Sequence, residues 1–461
     1  MAPTQNEDLA LHVEQKKPSS FDAQHPPEKK LIEDCVHCGF CLPACPTYVL
    51  WGEEMDSPRG RIYMMKKAAE GEAELDMRFQ LHMDNCLGCM SCMTACPSGV
   101  QYEKLIEATR PQVERHVSRG AMDSLFRRLL FATFPYADRL RALALPMLAY
   151  QRSGLQRLVR ASGLLKLLPK RLAAMEALLP TVPNSLFTQL PAQMEATEPR
   201  RRVGMLSGCV QQVFFQHVNA ATMRVLAAEG CEVVIPQTQE CCGALMVHSG
   251  LDTEAMGFAK RMIAAFEHAN VDAIVINAAG CGSTMKQYGH LLRDDAEWAA
   301  RAAAFSAKCR DVAEFLCELP PRAVRNPLPL RAAYHDACHL QHAQCIHAEP
   351  RTLLAGIPEL TVAEMPEGAI CCGSAGVYNL LHPQTGEELG DRKVENLLST
   401  QAEAVISANP GCLLQLMSGL RRRGLAEMPA LHMVELLDAS IRGVSVEELL
   451  RQDRSVRVQA N

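Results

Sequence analysis

The chain carries two copies of one cysteine run, and no other feature narrows its fold as much. The first is Cys35-x2-Cys38-x2-Cys41-x3-Cys45-Pro46; the second is Cys86-x2-Cys89-x2-Cys92-x3-Cys96-Pro97. In the bacterial [4Fe–4S] arrangement three cysteines wrap one cube and the fourth ligates the other. The spacing therefore predicts one cluster on Cys35, Cys38, Cys41 and Cys96, and a second on Cys86, Cys89, Cys92 and Cys45. Thiolates are soft donors that suit iron, and Pro46 and Pro97 turn the chain after each crossing ligand. A zinc ribbon would need cysteine pairs only, not the third cysteine and the trailing Cys-Pro, and neither of them twice.

Composition sets the frame around these motifs. A length of 461 residues suits two to four domains. With 48% hydrophobic and 21% charged residues the chain is globular, which excludes a disordered or fibrous protein. A net charge of −5 and 5% aromatics argue against nucleic acid as a partner. The 20 cysteines cluster at short spacings, and residues 1–20 show no basic start followed by an apolar stretch, so no secretory signal is read. In a reducing cytosol such cysteines ligate metal rather than pair as disulfides. Lacking a run of 18 apolar residues, the chain is expected in the cytoplasm, with any membrane contact peripheral and on the cytoplasmic face of the inner membrane.

The twelve remaining cysteines lie after residue 202, and eight of them form an internal repeat. Cys209, Cys241-Cys242-Gly243 and Cys281 recur as Cys338, Cys371-Cys372-Gly373 and Cys412, at offsets of 129, 130 and 131 residues. Strand-like segments at 202–206, 231–235 and 273–276 precede the first set, and 331–334, 360–363 and 404–406 precede the second. Helical stretches separate them; over 251–269, Met256, Ala259, Ile263 and Phe266 share one face. Alternating strands and helices predict a mainly parallel sheet in each copy. Ligands of such sheets bind beyond the carboxyl ends of the strands, so each quartet could converge on one site. Cys231, Cys309, Cys317 and Cys345 lack partner spacing and read as buried free thiols. His37, His82, His335, His339 and His342 lie near cysteines, but spacing gives none of them ligand geometry.

The boundaries read as a flexible tail over 1–30, a ferredoxin domain over 31–120, a linker over 121–202, two cysteine-rich modules over 203–325 and 326–440, and a C-terminal helix and loose end over 441–461. The 40 residues between Cys45 and Cys86 exceed what a compact ferredoxin needs. Within them Ser57 or Asp56 can cap a helix starting at Pro58. Arg59 and Arg61 read equally as surface residues or as donors to cluster sulfur or a partner. The linker segment 124–171 holds ten Lys and Arg against one acid, Asp138, interleaved with Leu125, Phe126, Leu129, Leu130 and Phe131, then Leu155, Leu158, Val159 and Leu165. Such a segment suits an anionic bilayer or a partner subunit.

The residues around these motifs bring a family into view. Val36-His37-Cys38-Gly39-Phe40-Cys41, Ser57-Pro58-Arg59-Gly60-Arg61-Ile62-Tyr63 and Cys96-Pro97-Ser98-Gly99-Val100 resemble the glycolate oxidase iron–sulfur subunits. Leu340-Gln341-His342-Ala343-Gln344 and Cys371-Cys372-Gly373-Ser374-Ala375-Gly376 extend the likeness, which covers roughly residues 30–440. The resemblance implies an α+β multidomain chain: an α-helical ferredoxin domain with two [4Fe–4S] motifs, then two repeated α/β cysteine-rich (CCG) modules. It also implies electron transfer in a membrane-associated complex with FAD-binding hydroxy-acid oxidase subunits, which oxidises glycolate to glyoxylate and feeds the quinone chain. In related heterodisulfide reductases the CCG module ends in Cys-x-x-Cys and holds a noncubane cluster on five cysteines. Here Thr284 and Gln415 occupy the last position. A further cubane cluster, a single metal or a structural remnant are the alternatives for Cys209, Cys241, Cys242 and Cys281, and for Cys338, Cys371, Cys372 and Cys412.

The sequence shows no G-x-G-x-x-G, P-loop or G-x-S-x-G. Hydride removal from a hydroxy acid needs a cofactor such as a dinucleotide, so the substrate chemistry is expected on a partner subunit, with a non-NAD acceptor. Alternatives within the same architecture are a subunit for lactate, glycerol 3-phosphate or another 2-hydroxy acid. A CCG enzyme reducing disulfides, or a redox-sensing scaffold, would be a different class.

Overall fold

The computed structural model of the chain describes residues 17–183 and 186–457. Of the tail expected over 1–30, residues 1–16 lie outside the described part, but the rest is held in place. Phe21 is buried in the ferredoxin core against Phe79, and Asp22 pairs with Arg115 at 2.8 Å.

Residues 31–120 contain no strand. Their main helices are Pro46–Trp51, Pro58–Ala69, Met77–Asn85 and Tyr102–His116. Ser57 caps the second of these, its hydroxyl accepting from Gly60 N at 3.0 Å, with Pro58 at the first helical position. Their apolar faces close on Met65, Met83, Leu105 and Ile106, and the cysteine loops lie on that core. The linker is helical as well, over Ala121–Thr133, Ala137–Arg152, Leu155–Ser162 and Lys170–Ala177.

The repeat folds as two sheets. The first comprises β1 (Gln193–Met194), β2 (Arg201–Met205), β3 (Cys231–Val234), β4 (Ala273–Ile276) and β5 (Cys309–Asp311), in the order β1-β3-β2-β4-β5. The second comprises β6 (Leu330–His335), β7 (Leu360–Glu364), β8 (Ala404–Ser407) and β9 (Ala430–His432), in the order β7-β6-β8-β9. All pairings are parallel except the short edge strand β1 on β3. Six strands stand where the apolar runs place them; β1, β5 and β9 are additional. β5 and β9 each lead into a helix through a capping box, Asp311 with Glu314 and His432 with Glu435.

The modules pack face to face in a pseudo-symmetric way. The helix after β9, Met433–Arg442, lies on helix Gln216–Ala228 of the first module, locked by a bidentate Arg224–Asp438 pair at 2.8 and 2.7 Å. Reciprocally, Val312–Cys317 after β5 lies on helix Ala348–Ala355 of the second. The ferredoxin domain docks on both modules. Arg110 donates to His248 O at 2.8 Å, and Tyr378 donates to Asn85 O at 3.1 Å. His342 Nε2 donates to Ala369 O at 2.9 Å, which leaves Nδ1 to accept from the Thr94 hydroxyl at 2.8 Å.

Candidate iron–sulfur sites

The two ferredoxin loops share one backbone shape. Left-handed residues recur at the third and fifth places of each run, His37 and Gly39 in the first, Gly88 and Met90 in the second. One pocket is lined by Cys35, Cys38, Cys41 and Cys96, with Cys92 and the Pro97 turn at its side. Cys35 is raised above the usual thiol range by burial, with Cys96 and Cys38 contributing as neighbouring charges. The second loop is deeper, with Cys86, Cys89 and Cys92 all buried, as is Cys45. Burial raises Cys89 and Cys92, and Cys45 is a neighbouring charge to both. Eight soft donors in two groups, each completed by the other run's last cysteine, fit two cubane clusters.

Two arginines face these groups differently. Arg59 is held by Glu54 at 2.7 Å and donates to His37 O at 3.2 Å, in the first loop. Arg61 is fully buried; it pairs with Asp56 at 3.0 Å and donates to His82 O at 2.6 Å. Burial pushes the Cys86 thiol up, but the Arg61 and Arg110 guanidiniums more than offset it, and its pKa falls below the ordinary value. Gly88 N, at 3.3 Å, and the Tyr102 hydroxyl, at 3.6 Å, both donate to the Cys86 sulfur. The site is built to hold a thiolate.

In the CCG modules the sheet order explains the convergence. β3-β2-β4 and β7-β6-β8 are adjacent triplets, and the cysteines follow their carboxyl ends. The second cysteine of each vicinal pair lies at the centre. Cys242 is lowered by hydrogen bonds from Cys241 and Cys281, and Cys372 by those from Cys371 and Cys412. Cys338 Sγ lies 3.8 Å from Cys371 Sγ. Gly373, at φ +86°, lets the chain turn away; a Cβ there would stand 2.7 Å from Gly386 O.

Three sequence expectations change. Cys231 and Cys309 are buried thiols, but Cys317 and Cys345 are exposed, the latter at a left-handed residue. The linker cations are not all free for a surface. Arg127 pairs with Glu114, Arg160 with Glu176 and Arg171 with Asp123, at 3.0, 2.9 and 2.7 Å. Lastly, His335 stands against Cys372 and Cys412, which residue spacing did not reveal because the three follow different strands.

Two cysteine-rich parallel sheets carrying quartets at their strand ends, joined to an all-helical dicluster domain, define an iron–sulfur protein of the ferredoxin-plus-CCG class. Residues 31–100 match the 4Fe-4S dicluster domain, 203–286 and 332–417 the cysteine-rich domain, and 122–179 the glycolate oxidase iron–sulfur subunit linker region. The chain is 41% identical to a probable glycolate oxidase iron–sulfur subunit of Bacillus subtilis (strain 168), over 88% of its own length and 93% of the relative's. It is 36% identical to the glycolate oxidase iron–sulfur subunit of Escherichia coli (strain K12), over 85% and 91%. The chain belongs to the glycolate oxidase iron–sulfur subunit family. Lactate utilization protein A of Exiguobacterium is 32% identical over 52% of this chain and 98% of that protein.

Proposed function

We propose that the chain is the electron-relay subunit of a glycolate-oxidising complex, taking electrons from a flavin-bearing partner and passing them to the quinone chain. Cys35, Cys38, Cys41 and Cys96 hold the first cluster; Cys86, Cys89, Cys92 and Cys45 hold the second. When bound, each cluster takes up and releases one electron. The observation that carries the reading is the graded burial of the two loops. The first opens to solvent, with Cys38 exposed and Val36 and Phe40 standing 68% and 65% exposed beside it. This apolar rim suits a docking partner subunit as the point of entry. The second loop is enclosed against the second CCG module, where Leu87 and Cys89 pack on Cys338 and Ile370. The chain thus aligns an exposed donor side with a buried, water-excluded path inward.

The linker supports contact with a membrane surface. Helix Leu155–Ser162 is inverted, burying Gln156 while Leu158 is 65% exposed. Leu125, Leu129, Leu164 and Leu167 are exposed along the same linker, among its basic residues. No helix among the described residues is long and apolar enough to cross a membrane.

The test is anaerobic copurification with a flavoprotein, followed by addition of glycolate. Bleaching of the cluster absorbance on glycolate supports the reading. Bleaching by lactate alone favours the lactate alternative, and an unchanged spectrum with both contradicts the relay.

A further inference from the structure

Both CCG quartets lack the cysteine that would supply a fifth sulfur, with Thr284 and Gln415 in its place. Gln415 is committed to protein partners. Its amide oxygen accepts from Asn379 at 2.8 Å and its amide nitrogen donates to Gly386 O. In the second module a different residue reaches the quartet. His335 ends β6, the middle strand of the adjacent triplet, and is 2% exposed. A ring nitrogen of His335 and the sulfurs of Cys372 and Cys412 all lie within 4.8 Å of one another. Neither nitrogen of this buried ring pairs with an oxygen or nitrogen atom, although buried polar groups are nearly always paired, and the ring interacts instead with the Cys372 thiol. Cys338 and Cys371 close the group from the other side, their sulfurs 3.8 Å apart. Four sulfurs and one ring nitrogen therefore face one centre.

Among the described residues no histidine of the first module meets two of its cysteine sulfurs in this way; His248 neighbours Cys242, but its Nδ1 faces Glu107 at 3.5 Å. The matching position after β2 is Leu206, buried in an apolar cluster with Cys241 and Cys242. The repeat has diverged at this position, and again at His339, whose Nδ1 lies 3.5 Å from Cys338 Sγ and which matches Val210.

We propose that His335 is a metal ligand: its imidazole, with Cys338, Cys371, Cys372 and Cys412, holds an iron–sulfur centre in the second CCG module, whereas the first module has Leu206 at the matching position. This rests on reading the modules as iron-binding, and extends it to an asymmetry between them. Each thiol gives up its proton on ligation, whereas the imidazole binds as a neutral donor. The imidazole therefore adds a fifth, neutral donor to four thiolates, in the place where related modules supply a fifth thiolate, and so leaves the centre one negative charge short of a five-thiolate set.

The experiment uses the full chain, purified anaerobically with and without 15N-histidine, and pulsed EPR in both its reduced and its oxidised state. A strong 14N coupling on a signal other than those of the ferredoxin clusters, converted to 15N by the label, is expected. His335→Leu, which installs the first module's residue, should abolish it and lower the iron count of the second module only. His339→Leu, which removes the other nearby ring, should retain it. A coupling that is absent, or that persists in His335→Leu, overturns the proposal. So does a wild-type count of about eight irons, the complement of two cubane clusters. That count would leave the ferredoxin relay standing, whose own failure would show as missing ferredoxin signals.

Discussion

Cys89 of the second ferredoxin loop and Cys338 of the second CCG module share one buried patch, closed by Leu87, Ile370, Tyr378 and Leu389. Burial first, and then the neighbouring Cys338, raise the Cys89 thiol well above its usual range. This contact joins the second ferredoxin loop to the second cysteine quartet. Cys338→Ala should change the microwave power saturation of the second ferredoxin cluster and leave that of the first unaltered. Identical saturation curves in wild type and variant would contradict the link.

Arg61 places a buried cation beside Cys45 and Cys86. Arg61→Met would leave the buried Asp56 carboxylate without its cation, with Asn85 Nδ2 still donating to it at 3.1 Å, a loss of about 3 kcal/mol by analogy with other broken buried pairs. It would also withdraw positive charge from the second cluster. Redox titration followed by EPR should show the second midpoint potential falling while the first stays put. Equal shifts in both would place the charge effect elsewhere.

The glycine after each vicinal pair is a sharper structural test. At Gly373 an added Cβ would meet Gly386 O at 2.7 Å and Leu389 Cβ at 2.9 Å, whereas at Gly243 the nearest atom is 3.2 Å away. Both positions have positive φ, +86° and +78°, a strain of roughly 1–3 kcal/mol for a residue with a side chain. Gly373→Ala should therefore lower the melting temperature more than Gly243→Ala does. The reverse order would contradict the packing described.

Glu103 gives a pH dependence. Burial, with Glu107 adding to it, raises this carboxyl to about 8 from an ordinary 4.5. Ser283 and Gln287 face it at 3.4 Å, and His339 and Lys104 lower it in part. Between those values the folded chain keeps a proton that the unfolded chain has lost. Stability therefore falls as pH rises through that window and is level outside it, by an amount on the order of a few kcal/mol. Glu103→Gln should make this part of the profile shallower in denaturant titrations, the remaining slope belonging to Glu107, which burial raises to about 7. A variant with the wild-type slope would show that the proton sits elsewhere.

Much of this architecture is written locally. The six strands before the cysteines are short apolar runs, and the ferredoxin loops follow from spacing alone. β5, with Arg310 and Asp311 among its three residues, and β9, ending in His432, are too short and too polar to read as strands; they exist because β4 and β8 offer free edges. Arg61 is illegible for another reason. An arginine in the first turns of a helix reads as a surface residue, and only the packing of that helix against residues 77–85 buries it. His335 joins cysteines 37 and 77 residues away in sequence, a meeting created by the parallel sheet and not by any motif.

The central claim is that eight thiolates between residues 35 and 96 hold two one-electron clusters. Iron and acid-labile sulfide analysis of the anaerobically purified chain, with EPR of the dithionite-reduced sample, tests it most directly. At least about eight irons and eight sulfides per chain, with two interacting reduced-cluster signals, are expected. Colourless protein carrying zinc in place of iron, without those signals, would contradict it.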